Sequence, residues 1–88
     1  MENLSKLLLL AKNTEQMTSL LTVLLTPSEV GELQQRIQIL DQLRNGLSQR
    51  EVAQNIGVGI ATVTRGAREL KYSPHSELIQ KFLKDLSL

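Results

Sequence analysis

Four cations, Arg50, Arg65, Arg68 and Lys71, fall within 22 positions that also contain the side-chain-poor run Gly59-Ile60-Ala61-Thr62-Val63-Thr64. Guanidinium and ammonium groups bind phosphate oxygens. Thr hydroxyls and Arg donate to base edges, and Thr and Ala methyls touch thymine methyls. A helix lined with Gly, Ala and Thr also brings its backbone close to whatever it meets, and a DNA major groove about 12 Å wide admits such a helix. The free N–H groups at its start suit a phosphate. Gln49 and Arg50, just upstream, are placed to grip the backbone or a neighbouring base. The competing reading is an ordinary solvated charged face.

The net charge of +1 conceals a gradient. Residues 1–43 carry three basic and five acidic side chains, whereas residues 44–71 carry Arg44, Arg50, Arg65, Arg68 and Lys71 against Glu51 and Glu69. Residues 72–88 balance. The basic excess therefore coincides with the side-chain-poor run, a modest footprint of the kind a polyanion requires.

The elements that must position these groups read as helices throughout. Leu4, Leu7, Leu8 and Ala11 follow helical spacing, and Asn13 with Gln16 resembles a capping box before Met17, Leu20, Leu21 and Leu24. Thr26-Pro27-Ser28-Glu29 is a strong helix start, with Val30, Leu33, Ile37, Leu40 and Leu43 on one face and Asn45-Gly46 as the stop. Ser48 with Glu51 opens a short helix that closes near Gly57; a second runs from about Gly59 to Lys71. Ser73-Pro74 starts a last helix with Leu78, Ile79, Phe82, Leu83 and Leu86 inward. The expectation is an all-α, six-helix chain with no strand.

Two helices joined by a tight Gly turn form the helix-turn-helix pattern. Val52, Ile56, Val58, Ile60 and Val63 are expected to wedge between them, with Ala53 small at the crossing and Gly57 supplying a left-handed turn. At 88 residues the chain is a single domain, and a lone copy is marginal. Its surplus leucine at both ends is best covered by a second copy, the alternative being a sticky monomer. The longest apolar run, Leu7–Ala11, is far short of the roughly 20 residues that span a bilayer. A cytoplasmic protein without membrane association is expected. With no Cys, a lone His75, no Ser–His–Asp set and no phosphate loop, an enzyme is not expected, nor an enzyme cofactor. His75 reads as a surface residue; Tyr72 and Phe82 read as core or dimer packing.

The segments LLTPSE (24–29), SQREVAQNIGVGIATVTRG (48–66) and ELKYSP (69–74) resemble the bacterial Trp repressor family, in order and spacing from about Leu20 to Leu86. The resemblance implies an intertwined homodimer that represses transcription by binding double-stranded operator DNA when loaded with L-tryptophan as corepressor. Residues 1–47 and 72–88 then form the dimerisation core and residues 48–71 the reading head. Gln49, Arg50, Gly59, Ile60, Ala61, Thr62, Thr64, Arg68 and Lys71 would face DNA. Thr26, Arg36, Thr62, Arg65, Gly66 and Glu69 would line the ligand site, with Gly66 leaving space beside the indole. Guanidinium groups stack on an indole face and pair with a carboxylate, which suits Arg36 and Arg65. From residue pattern alone Arg36 is equally a surface arginine at the border of an apolar stripe, and Arg65, opposite Ile60, Val63 and Ala67, is more simply a phosphate contact.

The chain departs from the family pattern in places. The amino end is short, one residue is missing near Arg44–Gly46, Ala53 replaces a common basic residue, and Glu69 replaces a small hydroxyl residue facing the ligand's amino group. Glu69 keeps open a related regulator with a different ligand or none; a purely structural helical dimer or adaptor is the remaining alternative.

Overall fold

A computed structural model of the chain describes residues 1–86. Residues 87 and 88, the end of the expected core segment 72–88, lie outside the described residues. Six α-helices account for the regular structure: α1 (Glu2–Leu9), α2 (Thr14–Leu24), α3 (Pro27–Arg44), α4 (Gln49–Ile56), α5 (Ile60–Tyr72) and α6 (Ser76–Leu86). They form two compact units, Met1–Leu33 and the chain from Gln34 onward, with the division falling inside α3. The described residues contain no strand, and none of their helices is long and apolar enough to cross a membrane.

Local chemistry sets each boundary. Asn13 Oδ1 accepts the Gln16 N–H at 2.8 Å, but the Gln16 side chain reaches back to the N–H of Lys12 rather than Asn13. At α3 the box is complete: Thr26 Oγ1 accepts the Glu29 N–H at 3.2 Å, and Glu29 Oε1 accepts the Thr26 N–H at 2.9 Å. Ser48 and Glu51 repeat this reciprocal pair at α4. Helix α3 stops in a Schellman turn, with Gly46 at φ +92° and the Leu47 N–H bonded to the Gln42 carbonyl. Gly57 at φ +80° ends α4, and the N–H groups of Gly57 and Val58 converge on the Ala53 carbonyl.

The α6 start differs from the sequence reading by two residues. The Ser73 hydroxyl accepts the His75 N–H in a local turn, so the helix begins at Ser76. The Ser76 hydroxyl in turn donates to the Leu70 carbonyl, closing the end of α5.

The second unit carries the core. Ile39, Val52 and Val63 are almost wholly buried, with Leu43, Leu47, Ala53, Ile56 and Val58 packed around them. The wedge between α4 and α5 is thus as the spacing predicts, with one correction. Ile60 is 52% exposed and stands outside it, because it is the first residue of α5 and projects before the helices meet. A second correction concerns α3. Only the end of the stripe 30-33-37-40-43 packs toward α5: Leu40 and Leu43 do so beside buried Ile39, while Leu33 and Ile37 are each 40% exposed. Helix α3 is apolar on two sides, and a single stripe does not describe it. Tyr72 and Phe82, expected to pack, are both exposed in the chain, as is His75. No residue of α1 or α2 is buried.

Gly66 sets how closely α5 lies on α3. A Cβ there would meet Ile39 Cγ2 at 2.9 Å, with Leu40 and Leu43 methyls at 3.7 Å. At Gly59, by contrast, a Cβ would meet nothing within 4 Å, and φ is −69°. Gly66→Ala gains about 1 kcal/mol of helix propensity but overpacks a filled site at about 1–3 kcal/mol. A net loss of about 1 kcal/mol in urea unfolding is expected. Gly59→Ser should instead gain a few tenths of a kcal/mol by capping α5.

The Glu29 carboxyl is held below its ordinary value of 4.5, first by the bond from the Thr26 N–H and then by the Thr26 hydroxyl contact. A pKa lowered on folding means the cap's contribution is complete above 4.5 and is lost as pH falls through the folded value. The melting temperature of the native chain should therefore drop more steeply than that of Glu29→Gln as the solution is acidified from about pH 5 to about pH 3.

Candidate nucleic-acid interface

Helices α4 and α5 present the candidate surface. Gly59 is the N-cap of α5 and offers no side-chain cap, so the first-turn N–H groups are not satisfied by a side chain. The N–H of Thr62 bonds back to the Gly59 carbonyl at 3.1 Å. Ile60, Ala61 and Thr62 are all exposed. Since the Gly59 backbone is available to any residue and its surroundings are empty, nothing within the chain requires glycine there. The room it leaves faces outward.

Gln49 and Thr64 are brought together. The Thr64 hydroxyl lies 2.7 Å from Gln49 Oε1 and 3.0 Å from the Ile60 carbonyl, and it donates its one proton to one of them. This strut ties the start of α4 to the exposed side of α5. Spacing within either helix gives no sign of it, because the partners are 15 residues apart.

The charges sort differently from their order in the sequence. Arg44 pairs with Asp41 at 2.9 Å, both side chains being largely buried, and Asn45 donates to the Asp41 carbonyl. Arg44 is therefore consumed inside the chain. Glu51 is engaged in the α4 capping box. Arg50, Arg65, Arg68 and Lys71 remain exposed and form no ion pair among the described residues. Lys71 Nζ lies 5.3 Å from the centre of the Tyr72 ring, a cation–π contact at the end of α5.

Along α5 runs an open groove of about 1040 Å³, lined by Ala61, Thr64, Arg65, Arg68, Glu69 and Tyr72, with Ser73 and Pro74 at its end. Of the residues expected to hold a ligand, Arg65 and Glu69 face this groove, and Arg36, Thr62 and Gly66 stand outside it. Arg36 is exposed on α3, and Thr26 is the cap of that helix in the first unit. The room that Gly66 makes is taken up within the chain by Ile39. Tyr72, one of the groove's walls, was legible in the sequence at two helical turns from Arg65 on the same face.

Comparison with known proteins places the chain in a family. The family model described as Trp repressor protein matches residues 1–87. A "Trp operon repressor homolog" of Vibrio parahaemolyticus is 48% identical over 66 residues, covering 74% of this chain and 64% of that protein. One of Vibrio campbellii is 52% identical over 60 residues, covering 67% and 60%. One of Vibrio atlanticus is 44% identical over 80 residues, covering 86% and 82%. The aligned part thus spans less than two thirds of the first two relatives. With the family model matched from end to end of the helical region, the helix-turn-helix and its uncapped, small-residue second helix included, the chain belongs to the Trp repressor family.

Proposed function

We propose that the chain is a transcriptional repressor of genes for tryptophan synthesis or uptake, binding double-stranded operator DNA as a homodimer with L-tryptophan as corepressor, in the cytoplasm. The observation that carries this reading is the exposed front of α5. There a Gly N-cap, small side chains and the four cations left unpaired present one surface to a polyanion, on a chain of the Trp repressor family. In this reading Ala61, Thr62 and Thr64 meet base edges while Gln49, Arg50, Arg68 and Lys71 engage the backbone. The head is the stretch 48–71, and the rest of the chain is the dimerisation core.

Apolar exposure supports the dimer. Leu9, Leu10 and Val23 are exposed by 72–85%, and Phe82 and Leu86 by more than half. An open cleft of about 580 Å³ between α1 and α2 has an apolar side of Leu7, Leu10, Ala11 and Leu20 and a polar side of Asn13, Glu15, Gln16 and Ser19. A surface of this kind is covered in a stable protein, and two-fold self-association is the commonest way. Two heads one DNA turn apart, about 34 Å, then read a palindrome, a rule for which the Trp repressor is itself a type example.

The ligand acts by preferring the arrangement in which both heads fit. Such couplings are about 1–3 kcal/mol and are reciprocal. Fluorescence anisotropy on a palindromic duplex should therefore show L-tryptophan tightening DNA binding about 5- to 150-fold, and calorimetry should show the duplex tightening tryptophan binding by the same factor. Absence of any salt-sensitive duplex binding, with or without tryptophan, overturns the proposal. A duplex bound equally well without tryptophan favours the ligand-independent relative that Glu69 leaves open.

Arg50→Ala should lower the slope of log affinity against log salt by about 1, whereas Thr62→Ala should weaken the best sequence by about 1–3 kcal/mol and leave that slope unchanged. Gly59→Asp should keep or slightly raise the melting temperature and still weaken DNA binding, because its carboxylate occupies the first-turn N–H groups and repels phosphate.

A further inference from the structure

The bond between Gln49 and Thr64 fixes what each side chain can offer to an outside partner. Gln49 Oε1 lies 2.7 Å from the Thr64 hydroxyl oxygen, the ordinary length of an O–H···O bond. Two oxygens that close need a proton between them, and only the threonine carries one. The other acceptor within reach, the Ile60 carbonyl at 3.0 Å, is also inside the chain and takes the helix's own N–H. Thr64 therefore has no proton left for a phosphate. Gln49, with its oxygen taken, keeps both carboxamide protons, and phosphate oxygens only accept. Among the described residues Gln49 makes this one side-chain bond. It is exposed, at the first position of α4, where a long side chain otherwise samples many rotamers. Anchoring its oxygen to half-buried Thr64 removes that freedom before any partner arrives.

We infer that the Thr64 hydroxyl is a positioning group: it serves DNA binding through Gln49, holding the carboxamide so that its NH₂ points outward as an ordered donor to a phosphate oxygen. The inference rests on the DNA-binding reading of the preceding subsection and refines it, leaving the Thr64 methyl for a base edge. Docking meets a donor that is already ordered and does not have to immobilise it on contact. Because the amide is neutral, it adds affinity without displacing a counterion, unlike the cation of Arg50 beside it.

The test is a double-mutant cycle on the full chain. Thr64→Val removes the hydroxyl and keeps a methyl; Gln49→Met keeps the length and removes the donor. Affinity for a palindromic duplex, with L-tryptophan present, is read by fluorescence anisotropy, and matched melting curves check folding. Thr64→Val should weaken binding by the native chain about 2- to 10-fold, the scale of ordering one long side chain on contact. The slope of log affinity against log salt should not change. In the Gln49→Met background the same substitution should have no effect, and Thr64→Ser should bind like the native chain. Without DNA, the NMR order parameter of the Gln49 side-chain NH₂ should be high in the native chain and in Thr64→Ser and should fall in Thr64→Val. If Thr64→Val binds like the native chain, or loses equally in both backgrounds, the inference is overturned while DNA binding stands. A Gln49 NH₂ as mobile in the native chain as in Thr64→Val overturns it as well. If the native chain binds no duplex, both readings are overturned.

Discussion

The placement of α5 depends on how closely it can approach α3 at Gly66 while packing on α4 and α6. The seat is small: an Ile39 methyl lies 2.9 Å from where a Cβ of residue 66 would be, and Val52 and Val63 are buried nearby without solvent contact. Glycine is costly within a helix, by about 1 kcal/mol relative to alanine. The cost is offset by interhelical contact, since dispersion forces fall off within a fraction of an ångström of separation. With so few buried residues, the position of α5 rests on its contacts with α4 and α6 together with the close approach of Gly66 to Ile39.

Charge is used with similar economy. Glu29 and Glu51 satisfy backbone donors at helix starts, and Arg44 is enclosed with Asp41 at the end of α3. These groups belong to the fold. Among the described residues the cations on α4 and α5 form no ion pair and so remain available to an external anion. A net charge of +1 gives no hint of this, because it counts enclosed and free charges alike.

Much of this was legible in the residues. Capping pairs at Thr26–Glu29 and Ser48–Glu51, the Gly46 and Gly57 stops and the small-residue character of α5 all act through neighbours three to five positions away, so a linear reading finds them. The buried face of α3 was only partly legible: Leu40 and Leu43 of the apolar stripe do face α5, but Leu33 and Ile37 fit the same spacing and are exposed, while Ile39, off the stripe, is buried. Ile60 fits the apolar periodicity of α5 yet lies beyond the contact, and Tyr72 and Phe82 are bulky yet exposed, Tyr72 meeting the Lys71 ammonium. The Gln49–Thr64 strut and the role of Gly66 toward Ile39 both join residues distant in sequence, where pattern carries no information. For the ligand-facing positions, the family resemblance supplied roles that composition could not.

The separation between the two sides of α5 has an evolutionary consequence. Val63 and Gly66 hold the helix, whereas Ala61, Thr62, Arg65, Arg68 and Glu69 are exposed and bear no weight in the core. Substitutions among the latter are nearly neutral for folding, so that surface can change without first acquiring a compensating stabiliser. A small scaffold with little stability to spare gains its adaptability from keeping these two sets of positions disjoint.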